Sequence, residues 1–244
     1  GFAPLDEGVP SQGTVVIDTK KKAVQHLTGG LVKEVLVGEG DRVKEGQLLI
    51  RLDEALARSN YEVARQNYIA LRATEGRLTA ERRGDTKIAL NSGISGMDDV
   101  AQVQQLVEAQ QQLLESRQSA LAAELQSIEE SMQGQLAQIQ AYEAMRVNKK
   151  DHLASLAEEL SNTRGLVKEG YAPRNRQLEL ERQEGDIQAS ISELLGNTTR
   201  VKHGVAELKQ RMIQRRQEYR KEVDSQLTDV QREIPGAAER LRVA

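Results

Sequence analysis

Apolar side chains recur every seven residues over the last third of the chain, with polar residues between them. Two interleaved series follow this spacing: Ile187, Leu194, Val201 and Leu208, and also Ile191, Thr198, Val205, Met212 and Tyr219. Sustained heptads form the narrow apolar stripe of a coiled coil. They predict a long helix from Asn175 to about Glu233. Pro235 and Gly236 should interrupt it, which leaves 235–244 as a truncated return segment.

A second stretch with helical spacing precedes this one. Its apolar positions are three or four residues apart and comprise Leu121, Leu125, Ile128, Met132, Leu136, Ile139 and Tyr142, followed by Leu153, Leu156 and Leu160. The spacing predicts a helix from Asp98 to about Arg164. Glycines and a proline cluster between the two helices, at 165–178 (GLVKEGYAPRNRQL). Two arms of ~90–100 Å at ~1.5 Å per residue therefore form an antiparallel coiled-coil hairpin over 98–234, with 165–178 as its tip.

The beginning of the chain has a different pattern. Residues 1–23 form a leader that is expected to lie near a membrane, and the β-branched run Thr14–Thr19 within it predicts a short strand. Residues 24–53 contain short β-branched runs separated by glycine turns, which predicts a compact set of small strands.

Residues 54–97 predict a first helix and a return loop. Leu56, Val63, Tyr68, Leu71 and Leu78 trace a sparse apolar face, and a glycine-containing loop follows Arg83. A helix of about 40 Å extends along only part of the hairpin. We therefore predict a mainly α fold with a small β part, in which three helices at the base thin to two at the tip.

Composition excludes several function classes. Aromatic residues make up 2% of the 244 residues and hydrophobic residues 38%, which favours a thin seam over a thick core. Acidic and basic residues are mixed, with a net charge of -3, and no basic block with interleaved aromatics suggests nucleic acid binding. The three histidines, His26, His152 and His203, have no accompanying ligand cluster. We therefore expect no enzyme activity, no metal and no cofactor.

The tip carries the candidate binding residues. Leu166, Val167 and Tyr171 are apolar side chains at the far end of a long hairpin, with basic residues around them. Exposed apolar groups in such a place indicate a contact site, although packing of Leu166 against Leu178 or Leu180 is an alternative. The candidate partner-binding residues are Arg164, Leu166, Val167, Tyr171, Pro173, Arg174 and Arg176.

A motif in 24–53 resembles one half of a biotinyl/lipoyl domain. Its pattern is G-x-V-x-x-V-x-V-x-x-G-D-x-V-x-x-G-Q-x-L, from Gly30 to Leu48. In carrier domains of this kind a lysine holds the prosthetic group, and that position falls here on Leu56. The resemblance therefore implies an incomplete lipoyl-like half domain without carrier chemistry.

The half-lipoyl motif followed by a long hairpin is similar to the periplasmic adaptors, or membrane fusion proteins. The additional first helix and the leader FAPLDEGVPSQGTV resemble the haemolysin D-type adaptors of type I secretion, in the branch that exports alkaline proteases and lipases. The resemblance implies a periplasmic protein anchored in the bacterial inner membrane by an N-terminal helix absent from this fragment. It also implies an ABC transporter partner, a TolC-like outer-membrane protein at the tip, and a homo-oligomer, hexameric in related systems.

Three other interpretations stay open. Drug-efflux adaptors carry an Arg, Leu and Ser triplet at the tip, and aligned through Leu166 the Arg and Ser positions fall on Asn162 and Pro173. This departure favours secretion over drug efflux. A carrier subunit would need a modifiable lysine at the hairpin position. A coiled-coil scaffold unrelated to membranes would have an inert turn.

Overall fold

The structure is a computed structural model that describes residues 22–25, 32–89 and 100–244. It contains two strands, β1 (Val32–Val35) and β2 (Ile50–Leu52), and three helices, α1 (Glu54–Arg83), α2 (Val100–Lys168) and α3 (Arg174–Val243). The mainly α fold with a long helical hairpin and a small β part is confirmed. The strand expected at Thr14–Thr19 lies outside the described residues.

The chain divides into two compact units. One consists of Gly1–Gln66 with Ala237–Ala244, and we call it the β-containing unit. The other is Asn67–Gly236, the hairpin unit. The finer division expected from the sequence, with boundaries after residues 23, 53, 97 and 234, stays a prediction.

In the β-containing unit, β1 and β2 pair antiparallel, with Val35 opposite Ile50. Two of the motif residues hold the turns between them. Asp41 accepts a hydrogen bond from the Gly38 amide at 2.7 Å, and Gln47 accepts one from the Lys44 amide at 3.0 Å. Gly40 and Gly46 have φ of 88° and 79°, a conformation that favours glycine. The Gly-Asp and Gly-Gln pairs of the motif are therefore turn-forming elements.

The hairpin unit is built on an antiparallel seam between α2 and α3. We use the word seam for the buried and half-buried heptad positions that face the other helix. They include Met132, Leu156, Leu160 and Thr163 on α2, and Leu180, Leu194, Thr198, Val205 and Leu208 on α3. Met132, Val205 and Leu208 form one cluster, and Leu156, Leu160 and Leu180 form another nearer the turn. The heptads read from α3 are therefore the packed positions.

One predicted seam residue of α2 is wrong. Leu136 is exposed, and Gln135 occupies the heptad position beside it. A glycine accommodates the Gln135 amide, because a Cβ on Gly204 would lie 2.5 Å from Gln135 Oε1. The three-four spacing allows either residue to face α3, and the heptad frame of the surrounding seam selects Gln135.

Three helices meet where α1 ends. The side chain of Glu81 is fully buried and accepts hydrogen bonds from Arg77, Arg117 and Tyr219, each at 2.6 Å. Beside it, Leu78 of α1 packs with Val223 and Leu227 of α3. We call these residues the three-helix junction. From here towards the turn, α2 and α3 continue without α1, so three helices give way to two.

The loop after α1 returns along α2. The Gln111 side chain accepts a hydrogen bond from the Ile88 amide and donates one to the Thr86 carbonyl, at 3.0 and 2.8 Å. Asp85, earlier in the loop, accepts through its carbonyl from Gln118, one heptad further along α2. α1 and α2 therefore run parallel, as the expected return loop requires.

Two further expectations from the sequence need correction. α3 does not stop before Pro235 but continues through it to Val243. Proline removes one amide donor and crowds the carbonyl four residues before it, but the many other hydrogen bonds of a 70-residue helix allow α3 to continue past this point. On α1, Leu56 and Val63 are exposed, while Ile69 and Leu78 are fully buried. The apolar face of α1 is therefore shorter than predicted and lies in its second half.

Candidate partner-binding site at the hairpin turn

The turn is shorter than the predicted 165–178. α2 ends at Lys168 and α3 begins at Arg174, so five residues reverse the chain. Gly170 has φ of 84°, its amide donates to the Val167 carbonyl at 3.1 Å, and the Tyr171 amide donates to the Leu166 carbonyl at 2.8 Å. This pair of bonds is a Schellman motif, which satisfies the last carbonyls of a helix. Backbone hydrogen bonds therefore terminate α2.

The apolar side chains of the turn remain exposed. In a Schellman motif the residue after the glycine commonly packs on the residue that accepts its amide bond. Here those residues are Tyr171 and Leu166, which are 80% and 46% exposed. Leu180, in contrast, lies in the buried cluster with Leu156 and Leu160. Local packing therefore leaves most of the Tyr171 ring available.

Two of the candidate basic residues bridge the arms of the hairpin. Arg164 on α2 pairs with Glu181 on α3 at 3.1 Å, and Arg176 on α3 pairs with Glu159 on α2 at 2.8 Å. Hydrogen bonds from Gln177 and then Arg164 lower the pKa of Glu181. Arg164 and Arg176 therefore close the hairpin just below the turn.

The other basic side chains of the turn point into solvent. Lys168 and Arg174 are exposed and form no salt bridge with a described residue. Arg174 contributes only through the field that lowers the pKa of Glu181. The turn thus presents an aromatic ring and an aliphatic side chain beside two cations.

Two of the candidate residues remain, and they differ in exposure. Pro173 is exposed in the turn, and Val167 is half-buried. Leu178 is 41% exposed and was not among the candidate residues, because the sequence also permitted it a turn-closing role. The heptad series supplies the missing signal: counting back from Leu194 and Ile187 reaches Leu180, so Leu178 lies off the seam.

Neither histidine that the structure describes lies in a metal-binding arrangement. His152 and His203 are exposed on α2 and α3, and His26 lies outside the described residues. Among the described residues, no group of three or more His, Cys, Asp or Glu side chains is close enough together to hold a metal ion. In that same part of the chain, no helix combines the length and apolar character needed to cross a membrane.

The hairpin matches a family model described as AprE, long alpha-helical hairpin, over residues 57–244. The chain belongs to this family. Its hairpin unit and the turn described above lie within the matched residues. The fold and the family assignment expected from the sequence are therefore confirmed together.

Individual members of the AprE family and its neighbours are similar to the chain throughout. The alkaline protease secretion protein AprE of Pseudomonas aeruginosa is 38% identical over 94% of this chain and 53% of its own length. The proteases secretion protein PrtE of Dickeya chrysanthemi is 34% identical over 96% and 52%. The soluble domain of LipC, a membrane fusion protein of a type I secretion system, has a TM-score of 0.79 with 33% identity, covering 91% of this chain and 84% of that one. The chain spans about half the length of these two secretion proteins.

Proposed function

We propose that this protein is a periplasmic adaptor of a type I secretion system. In this role it links an inner-membrane ABC exporter to a TolC-like outer-membrane channel, as a ring of copies anchored by an inner-membrane helix. The cargo is a protease or lipase, in keeping with the protease secretion proteins that the chain resembles. The turn is the site that meets the channel.

The observation that carries the proposal is the exposure of Tyr171. A turn needed only to reverse the chain is complete once its backbone bonds and its two flanking ion pairs are made. Tyr171 adds a large apolar ring that stays in water at the end of the hairpin unit. Tyrosine is enriched among the residues that dominate protein interfaces, since it buries much area at little entropic cost.

Leu166 and the two cations complete the proposed surface. Leu166 lies directly under the turn and supplies an aliphatic contact. Lys168 and Arg174 have no salt-bridge partner among the described residues, so they are available to carboxylates of the channel. Arg164 and Arg176 support this surface without contacting the channel, because their ion pairs hold the two arms together below the turn.

The test is capture of the channel protein. In cells that make the exporter and the TolC-like channel of the same system, the tagged protein should co-purify with the channel. Tyr171→Asp and Leu166→Asp should each weaken capture at least about tenfold, because losing an interface anchor costs ~2 kcal/mol or more. Secretion of the cargo should fall in parallel.

Tyr61→Asp is the matched control. Tyr61 is a 43% exposed tyrosine on α1, so its substitution places the same charge at an exposed tyrosine that is not part of the turn. Circular dichroism should give the same melting temperature for all variants. Unchanged capture and secretion by Tyr171→Asp and Leu166→Asp would show that the turn is not the docking site.

A further inference from the structure

Midway along the hairpin, α2 places charged side chains in the seam. Arg146 and Lys149 occupy successive seam positions of α2, between the two apolar clusters. Arg146 bonds to Glu143 at 2.7 Å, and its Nε is buried without a hydrogen-bond partner among the described residues. At the same level Met145 and Leu195 are 47% and 45% exposed. α2 thus contributes two cationic side chains to the seam near the level of the buried Leu194 of α3, while Met145 and Leu195 are exposed apolar side chains on the surface.

These two exposed side chains lie on opposite flanks of the hairpin. The ion pairs below the turn mark the flanks, because Glu159 meets Arg176 on one side and Glu181 meets Arg164 on the other. Met145 lies two heptads from Glu159, and Leu195 two heptads from Glu181. Residues in the same heptad position stay on the same side of a coiled coil. Met145 therefore lies on the Glu159 flank and Leu195 on the Glu181 flank.

Met145 and Leu195 also lie at the same height. Gln135 faces Gly204, and Glu124 pairs with Arg215, which fixes the stagger of the two helices. Met145 lies ten residues after Gln135, and Leu194 lies ten residues before Gly204. Because the helices are antiparallel, Met145 is therefore level with Leu194. Leu195 is the next residue, so the two apolar side chains face away from each other across the hairpin at one level.

The surroundings of Met145 suit a helix that packs against it. Four neighbouring heptad positions of the Glu159 flank carry no ionisable side chain: Gln138 on α2, with Ser190, Asn197 and Gly204 on α3. Asn197 accepts a hydrogen bond from Arg200. An apolar side chain that packs on Met145 beside Gln138 and Ser190 removes no ionised group of these residues from water.

We infer that Leu195 of one copy packs on Met145 of the next, so that hairpins associate side by side through unlike flanks. Copies related by rotation alone, with no shift along the axis, contact each other at equal heights. Two apolar positions at one height on opposite flanks meet this requirement. The inference rests on the proposed function, because it assigns the surface through which the ring of adaptors forms.

Cysteine cross-linking tests the contact directly, because the chain contains no cysteine. Two differently tagged copies, carrying Met145→Cys and Leu195→Cys, are made together with the exporter and then mildly oxidised. Disulfide-linked dimers containing both tags are expected, and the double variant should give a ladder of larger species. Either single variant alone should give none, because unlike flanks meet. Ala144→Cys, on the exposed outer side of α2, is the matched control for Met145→Cys.

Two results would overturn the contact: mixed-tag dimers no more abundant than with the Ala144→Cys control, or dimers of Met145→Cys with itself. The cross-link is measured in cells lacking the channel protein, so it does not depend on the turn. If Tyr171→Asp left capture intact while the cross-link formed, the turn site would fail and this contact would stand. If the cross-link failed while capture persisted, the reverse would hold.

Discussion

The three-helix junction and the hairpin turn arrange polar and apolar groups in opposite ways. At the junction a carboxylate is fully buried, and two arginines and a tyrosine satisfy it. At the turn a tyrosine and a leucine remain in water while ion pairs close the arms beneath them. At the junction, the polar side chains bond to one another and hold the three helices together. At the turn, the apolar side chains stay exposed, so they are available to pack against a partner.

This comparison predicts that substitutions at the junction change stability and that substitutions at the turn change binding. The largest effect is expected for Glu81→Gln. Removing one partner of a buried charge network typically costs about 3–5 kcal/mol, because Arg77 and Arg117 keep their charge without the carboxylate. Urea unfolding followed by circular dichroism measures the loss. Glu108→Gln, an exposed glutamate on α2, is the control and should unfold like the wild type.

Tyr219→Phe should have the next largest effect. Its hydroxyl donates to Glu81, and a hydrogen bond to a charged group contributes about 1.5–3 kcal/mol. Burial and then the bond to Glu81 raise the pKa of Tyr219 from 10.0 to about 12. The stabilisation from its protonated form is therefore complete below pH 10.0 and is lost as the pH rises towards 12.

The pH dependence separates this residue from general alkaline unfolding. Urea midpoints at pH 9 and pH 11 should fall more steeply in the wild type than in Tyr219→Phe. Equal slopes for both proteins would place the titrating group elsewhere and remove Tyr219 from the account of the junction.

At the turn, Gly170→Ala should have a smaller effect on stability. Gly170 has φ of 84°, and an L-residue in the left-handed region costs about 1–2 kcal/mol. Gly165→Ala is a control of opposite sign, since Gly165 lies within α2 and a Cβ there meets nothing within 4 Å. That substitution should stabilise the protein by about 0.5–1 kcal/mol. A stabilising Gly170→Ala would contradict the Schellman geometry.

The smallest change in stability is expected for Tyr171→Asp, within about 0.5 kcal/mol of the wild type. The ring is 80% exposed, so little packing is lost when it is removed. A large loss of stability on urea unfolding would mean that the ring supports the turn, and the contrast with the junction would disappear.

The helical hairpin was predicted well because the heptad repeats are visible in the sequence. Ile187, Leu194 and Leu208 define a face that only a helical partner of equal length can cover, and the glycine cluster near Gly170 locates the reversal. Leu136 shows the limit of local spacing, because two adjacent residues satisfied the pattern and only the packed frame of α3 selects between them.

The buried network of the three-helix junction could not be predicted from the sequence. Glu81 lies in the run AERR, which resembles any charged helical surface, and its burial arises only when α1, α2 and α3 converge. The exposure of Tyr171 was easier to anticipate, since a residue beside a glycine at a reversal has few neighbours. The Met145 and Leu195 contact needs the stagger of the helices, which Gln135 and Gly204 reveal only in three dimensions.

The close approach of Gly204 to Gln135 also bears on how α2 and α3 align along their length. If α3 slid by one heptad either way, Asn197 or Arg211 would replace Gly204 opposite that amide. A Cβ at this point would lie 2.5 Å from Gln135 Oε1, so the Gln135 amide would have to move away from α3 to make room for either side chain. The missing side chain of Gly204 thus favours the observed alignment of α2 and α3 over alignments shifted by one heptad, together with the Glu124–Arg215 ion pair.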